Sequence, residues 1–194
     1  RPQTCFVSNV LRLSVGALLS GSIKRGLETN VSIDGADFRR VLGHFPTGVS
    51  VVTAVDDDGP AGMAIGSFTS VSLDPPLVMF CPAKNSGSWL RMKDVGSFCV
   101  NVLGEDQAAT CGVFAGRAED KFEGISWSTD VTGAPVIPGS LAVMDCELHA
   151  IHDGGDHDIV VGLVKSLWTD PELEDSPRGP LVFFQGRLGQ FVDI

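Results

Sequence analysis

The sequence predicts a mainly β chain (β-rich α+β), an antiparallel barrel with a few flanking helices. Three observations predict it. Apolar residues come in short alternating or continuous blocks such as VSVVTAV (Val49–Val55) and SFCVNVL (Ser97–Leu103). These blocks are punctuated by turn signals such as DDDGPAG (Asp56–Gly62) and DGGDH (Asp153–His157). Strands outnumber helices and most connections are short, which favours a small antiparallel barrel over a doubly wound sheet. A chain of 194 residues suits one domain with a real core. We place that domain at residues 34–194, behind an N-terminal extension, residues 1–33, of no assigned role.

The elements follow in order. In DGADFRRVLGHF, Asp34 is an N-cap, and Phe38, Val41, Leu42 and Phe45 recur at helical spacing until Pro46 and Gly48 stop the helix. Val49–Val55 is a strand. MAIGSFTSVSLDPPLVMFCP (Met63–Pro82) supplies a second, and after the Pro75–Pro76 break a third, PLVMFC. SGSWLRMKDVG is a short helix capped by Ser86 or Ser88 and stopped by Gly96. Ser97–Leu103 is a strand, and EDQAATCGVFAG a helix with an acidic first turn. LAVMDCELHAIH and DIVVGLVKSLWT are long strands joined at DGGDH, and GPLVFFQGRLGQFV closes the chain as β.

Charge narrows the function. The net charge is −10, of which residues 1–33 carry +3 and the remainder −13. Such a body repels nucleic-acid phosphates and anionic lipid, so neither a nucleic acid nor a membrane is expected as partner. The same field repels an anionic cofactor, so a phosphate site requires a local basic patch. Cys5, Cys81, Cys99, Cys111 and Cys146 form no CxxC pair and read as reduced thiols of a cytoplasmic protein. Val10–Gly21 comes nearest to a leader's apolar core, but Arg12 interrupts it and no A-x-A-like site follows.

Familiar catalytic motifs are missing. There is no G-x-G-x-x-G and no G-x-S-x-G, and GHFPTGVS has Val49 where a phosphate loop needs lysine. His149, His152 and His157 give H-x2-H-x4-H, but strand residues three apart face opposite ways, which disfavours a shared metal. Two features remain. The hydroxyl- and glycine-rich half of Met63–Pro82 offers backbone amides to a flat, polar-edged ligand. CPAKNSGSWLRMK (Cys81–Lys93) holds Lys84, Arg91 and Lys93 with no acid, beside Asn85, Ser86, Gly87 and Ser88 at a helix start, an anion site in outline. It reads equally as a solvated loop and a capped helix.

FPTGVSVVTAV, SFTSVSLDPPLVMFCPAKNSGSW, GSFCVNVL, VFAGRAEDKF and GGDHDIVVGLV, in that order, resemble the flavin reductase components of two-component flavin-dependent monooxygenases. The resemblance covers about residues 37–188. It implies an FMN-binding split β-barrel working as a homodimer. It also implies site residues. Ala64, Ile65, Gly66, Ser67 and Phe68, with Ser70 and Val71, would line the flavin ring and ribityl chain. Asn85, Ser86, Gly87, Arg91 and Met92 would hold the phosphate side, and Val113 and Phe114 the distal part. His157 would sit at the nicotinamide, with Asp156 supporting its turn, and Thr47 and Gly48 would border the same cleft. Relatives with T-x-S-S-F carry hydroxyls where this chain has Ala64 and Gly66, so Ser67 is the surviving hydroxyl and backbone amides would make the remaining contacts.

The implied activity is an NADH-dependent flavin reductase: hydride passes from nicotinamide C4 to N5 of FAD (or FMN), with reacting atoms about 3–3.5 Å apart. NADH and free flavin are then substrates, and an FAD-dependent monooxygenase receives the reduced flavin. No arginine cluster adjoins Asp156–His157, which tilts the choice toward NADH. Two rival readings are a split-barrel carrier or sensor of flavin or haem, which would not turn over free flavin, and an oxidase, which would stay yellow on dialysis.

Overall fold

The computed structural model describes residues 32–193; the N-terminal extension read at 1–33, with Cys5 and the leader-like stretch, lies outside them apart from its last two residues. Helix α1 spans Gly35–Leu42, and the Asp34 side chain caps it by accepting from Ala36 N at 3.2 Å. Phe45, placed in this helix by its spacing, lies beyond its end. His44 N and Phe45 N bond to the carbonyls of Val41 and Leu42, a tightened last turn before Pro46. The apolar stripe of α1 is not core: Phe38, Val41 and Leu42 are each about half exposed.

Strands β1 (Thr47–Gly48), β2 (Ser50–Asp56), β3 (Gly59–Ile65), β4 (Thr69–Leu73) and β5 (Pro76–Phe80) follow. Met63–Pro82 therefore contributes the end of one strand and two more. The interruption falls at Gly66–Phe68, where a small residue and a hydroxyl replace the apolar alternation. Next come α2 (Gly87–Met92), β6 (Ser97–Val102), a 3-10 turn at Glu105–Gln107 and α3 (Ala108–Ala115). The acidic residues Glu105 and Asp106 lie in that turn rather than in α3 itself. Short strands β7 (Ser128–Thr129) and β8 (Pro135–Val136) precede the long β9 (Ala142–Gly154) and β10 (His157–Thr169). The chain ends in β11 (Leu181–Phe184) and β12 (Arg187–Gln190), whose turn uses left-handed Gln185 and Gly186.

Seven strands form one antiparallel sheet in the order β3-β2-β6-β9-β10-β5-β4. Its two edge strands, β3 and β4, are consecutive in the chain and separated only by Gly66, Ser67 and Phe68. Three residues reach about 10 Å, so the sheet has to curl until its edges meet at that end: a split barrel. Its core is built from Val52, Phe80, Phe98, Val100, Cys146 and Val160, with Trp89 and Met92 of α2 packed in. Burial pushes the Cys146 thiol up to about 12 and Cys99 further, which keeps both as neutral thiols.

Asn101 on β6 pins β8 and the residue after it to the main sheet, a contact which the sequence pattern did not announce. Its amide donates to Val51 O and Thr53 Oγ1 and accepts from Ile137 N at 2.8 Å, a buried polar group with its partners in place. Gly162 on β10 sits at a register shift, and a Cβ there would run into the Phe98 ring and lie 3.2 Å from Cys146 Cβ. Gly162→Ala is expected to lower unfolding free energy by about 1–3 kcal/mol through overpacking. Urea denaturation checks it, and an unchanged midpoint would contradict this packing.

Candidate functional site

Edge strand β3 has no strand on its outer side within the seven-stranded sheet, and helices α2 and α3 pack against it. Phe114 of α3 can approach because position 62 is glycine; a Cβ there would come within 2.7 Å of its ring. Where β3, α2 and the segment after α3 meet, the surface opens into a cleft of about 910 Å³. It is lined by Pro60–Gly62 of β3, by Asn85–Ser88 at the start of α2, and by the segment after α3, and its charged lining is Asp58, Arg91, Arg117, Glu119 and Lys121. Ser86 Oγ caps α2 by accepting from Trp89 N. Gly87 has open space where a Cβ would stand, so a larger residue would fill the cleft rather than the core.

The basic patch expected from Lys84, Arg91 and Lys93 is not built as the sequence suggested. Arg91 binds Asp56 through two hydrogen bonds of 2.7 and 2.6 Å and also donates to Gly59 O. Hydrogen bonding to that guanidinium holds the Asp56 carboxyl below its usual range, so the pair stays charged at neutral pH. Lys84 turns away to Asp153, Asp158 and Gly155 O, and Lys93 caps the C-terminus of α2. Strands distant in sequence thus supply the acids that the local stretch lacks.

The patch reading missed two cations that line the cleft, Arg117 and Lys121, and Lys121 is the one held in place. Its ammonium donates to Phe114 O at 2.9 Å, Ser88 Oγ at 3.0 Å and Gly62 O at 3.4 Å. All three acceptors are neutral, so its hydrogen bonds are met while its charge is not. Desolvation lowers its pKa, the mark of a charge that an anion entering the cleft would stabilise. The lysine stands in AEDKF beside two acids, and nothing in that local pattern marks it as a cation without a carboxylate partner.

The other expected site residues lie in distinct settings. Asn85, Ser86, Gly87 and Arg91 come together in the cleft. Ala64 and Ile65 end β3, and Gly66–Phe68 bridge to Ser70 and Val71 on β4. Ser67, the surviving hydroxyl, is already engaged: Cys81 N donates to its Oγ at 2.9 Å and Oγ donates to Cys81 O at 3.3 Å, stapling the bridge to the end of β5. Gly66 faces Thr47, whose Oγ1 is buried without a partner and would lie 2.8 Å from a Cβ at position 66. Met92 and Phe114 have their side chains in the core, 4% and 1% exposed, and Ile65 is 8% exposed; anything these residues offer a ligand comes from their backbone. Val113 is exposed on α3. His157 begins β10, and its Nδ1 lies 2.8 Å from Asp156 Oδ1. Among the described residues no grouping of three His, Cys, Asp or Glu could hold a metal ion.

A curled antiparallel sheet with a glycine-lined cleft on its edge strand defines a class, small antiparallel split barrels. Residues 42–191 match the model of the flavin reductase like domain. The chain is 49% identical over 164 residues to a flavin reductase of Pseudomonas putida, covering 84% of this chain and 94% of that one. It is 48% identical over 156 residues to HsaB, the reductase subunit of a flavin-dependent monooxygenase from Rhodococcus jostii, covering 80% and 77%. Among solved structures, the Streptomyces globisporus NADH:FAD oxidoreductase SgcE6, in complex with NAD and FAD fragments, superposes with a TM-score of 0.75 at 38% identity over 82% of this chain and 93% of that one. The chain belongs to the flavin reductase-like family.

Proposed function

We propose that this protein is an NADH-dependent flavin reductase that reduces FAD, or FMN, by hydride transfer and supplies the reduced flavin to a separate flavin-dependent monooxygenase. The observation that carries the reading is the cleft beside β3. Lys121 brings a charge without a carboxylate partner, and the N-terminal turn of α2 presents Asn85–Ser88 to the same space. This suits a flavin's phosphate end. The HsaB relative is by name a monooxygenase reductase subunit, and the SgcE6 structure holds NAD and FAD fragments.

In this reading the backbone of Ala64–Phe68, with Ser70 and Val71, borders the flavin ring, while Asn85, Ser86, Gly87 and Lys121 hold the phosphate side and Arg91, paired with Asp56, braces its wall. Val113 lies toward the flavin's distal part. His157 serves the nicotinamide. Its Nδ1 donates to Asp156, which fixes the ring and leaves Nε2 to face the carboxamide. The domain spans residues 34–194.

The second copy of a homodimer would cover the apolar face formed by α1 and the β11–β12 hairpin. Phe38, Val41, Leu42, Phe45 and Phe184 are all more than 40% exposed there. Gln185 N donates to Gly43 O, and the His44 and Phe184 rings meet edge-on at 6.3 Å, which makes the face continuous. Unpaired Cys81, Cys99, Cys111 and Cys146 support a cytoplasmic location, checked by cell fractionation.

NADH consumption with catalytic protein and excess FAD tests the activity. Many turnovers of flavin per protein are expected, whereas none would leave a flavin carrier. In the same assay His157→Ala is expected to raise KM for NADH about tenfold with flavin affinity within about twofold; an unchanged KM removes His157 from the nicotinamide site. Sedimentation velocity is expected to give twice the 20.5 kDa chain mass, and a monomer at micromolar concentration would refute the dimer.

A further inference from the structure

The His157 turn projects from the end of the β9–β10 hairpin with Asp153–Asp156 exposed, so something outside the hairpin has to hold it. That support is the segment Pro82–Trp89. Lys84 N donates to Asp156 O and Asp158 N to Pro82 O, both at 3.0 Å, and Ala83 bridges to His157. Lys84 Nζ donates to Gly155 O at 2.7 Å. The side-chain anchor is Asp158. It accepts from Trp89 Nε1 at 2.8 Å and lies 3.9 Å from Lys84 Nζ, with its side chain 18% exposed. Trp89 itself is 2% exposed and packs edge-on against Phe80 at 5.9 Å.

The same segment has a second face. Asn85, Ser86, Gly87 and Ser88, between Lys84 and Trp89, line the cleft. One stretch of backbone therefore contacts both the space assigned to the flavin's phosphate and the turn assigned to nicotinamide. Buried Pro82 anchors one end of the segment, and the buried indole that Asp158 grips anchors the other. We infer that Asp158 is a positioning residue: through Trp89 and Lys84 it registers the His157 turn against the loop that borders the cleft, so that nicotinamide docks in a fixed relation to bound flavin. The inference rests on the reductase reading.

The test compares wild type, Asp158→Ala and Asp158→Asn in steady-state NADH oxidation with FAD, alongside FAD titration by fluorescence quenching and thermal melting. Asparagine keeps an acceptor for the indole and loses the charge facing Lys84; alanine loses both. Asp158→Ala is expected to raise KM for NADH about tenfold, as loss of a charge-assisted hydrogen bond would, with kcat and FAD affinity within about threefold. Asp158→Asn is expected to recover most of that loss. Unchanged KM for NADH in the alanine variant overturns the inference. So does a uniform fall in kcat, FAD affinity and melting temperature that asparagine does not relieve, because that pattern belongs to a purely structural residue. A wild type that does not oxidise NADH with flavin fails the reductase reading instead, so the two failures are distinguishable.

Discussion

The short bridge between β3 and β4 is the constraint from which the rest follows. Three residues between the two edges of a seven-stranded sheet leave no option but curling. Curling places β3 on an outer rim without a further strand partner in its sheet, and that rim is where α2 and α3 dock. Ser67 staples the bridge to Cys81, and Gly66 is small because Thr47 stands across from it. The hydroxyl-rich half of Met63–Pro82 thus serves closure of the barrel first. What it gives a ligand is a stretch of fixed backbone.

Electrostatics then decide what the rim can hold. The body of the chain carries −13, and two of the basic side chains near the cleft, Lys84 and Arg91, are matched by carboxylates from the β9–β10 hairpin and the end of β2. These pairs fix loops rather than attract anions. Lys121 differs because carbonyls and a hydroxyl satisfy its hydrogen bonds without cancelling its charge. Lys121, with Arg117 lining the same cleft, makes one spot in an acidic surface welcoming to phosphate.

The β character and most of the strands were readable because period-two alternation and glycine turns report directly on a half-buried antiparallel sheet, whereas the break between β3 and β4 at Gly66–Phe68 was read as one strand. The α2 cap, open in sequence between Ser86 and Ser88, is Ser86, while the hairpin turn at Gly155 and the α1 cap at Asp34 were legible for the same local reason. Pairings across long stretches of sequence were not. Arg91 with Asp56, Lys84 with Asp153 and Trp89 with Asp158 join residues 35 to 69 apart, and no local pattern encodes them. The fate of the α1 stripe was equally hidden: helical spacing marks an apolar face but does not say that this face stays exposed on the chain's own surface. For the site, the resemblance located the right segments. Only the fold separates side chains that line the cleft, such as Arg91, from those buried beneath it, such as Met92 and Phe114.

The claim that Lys121 makes this cleft a phosphate site is tested most directly by comparing FAD with riboflavin, which keeps the ring and lacks the phosphates, as substrates of Lys121→Met. The account predicts a KM for FAD raised about tenfold or more and an unchanged KM for riboflavin. Equal effects on both flavins, or none on either, would contradict it.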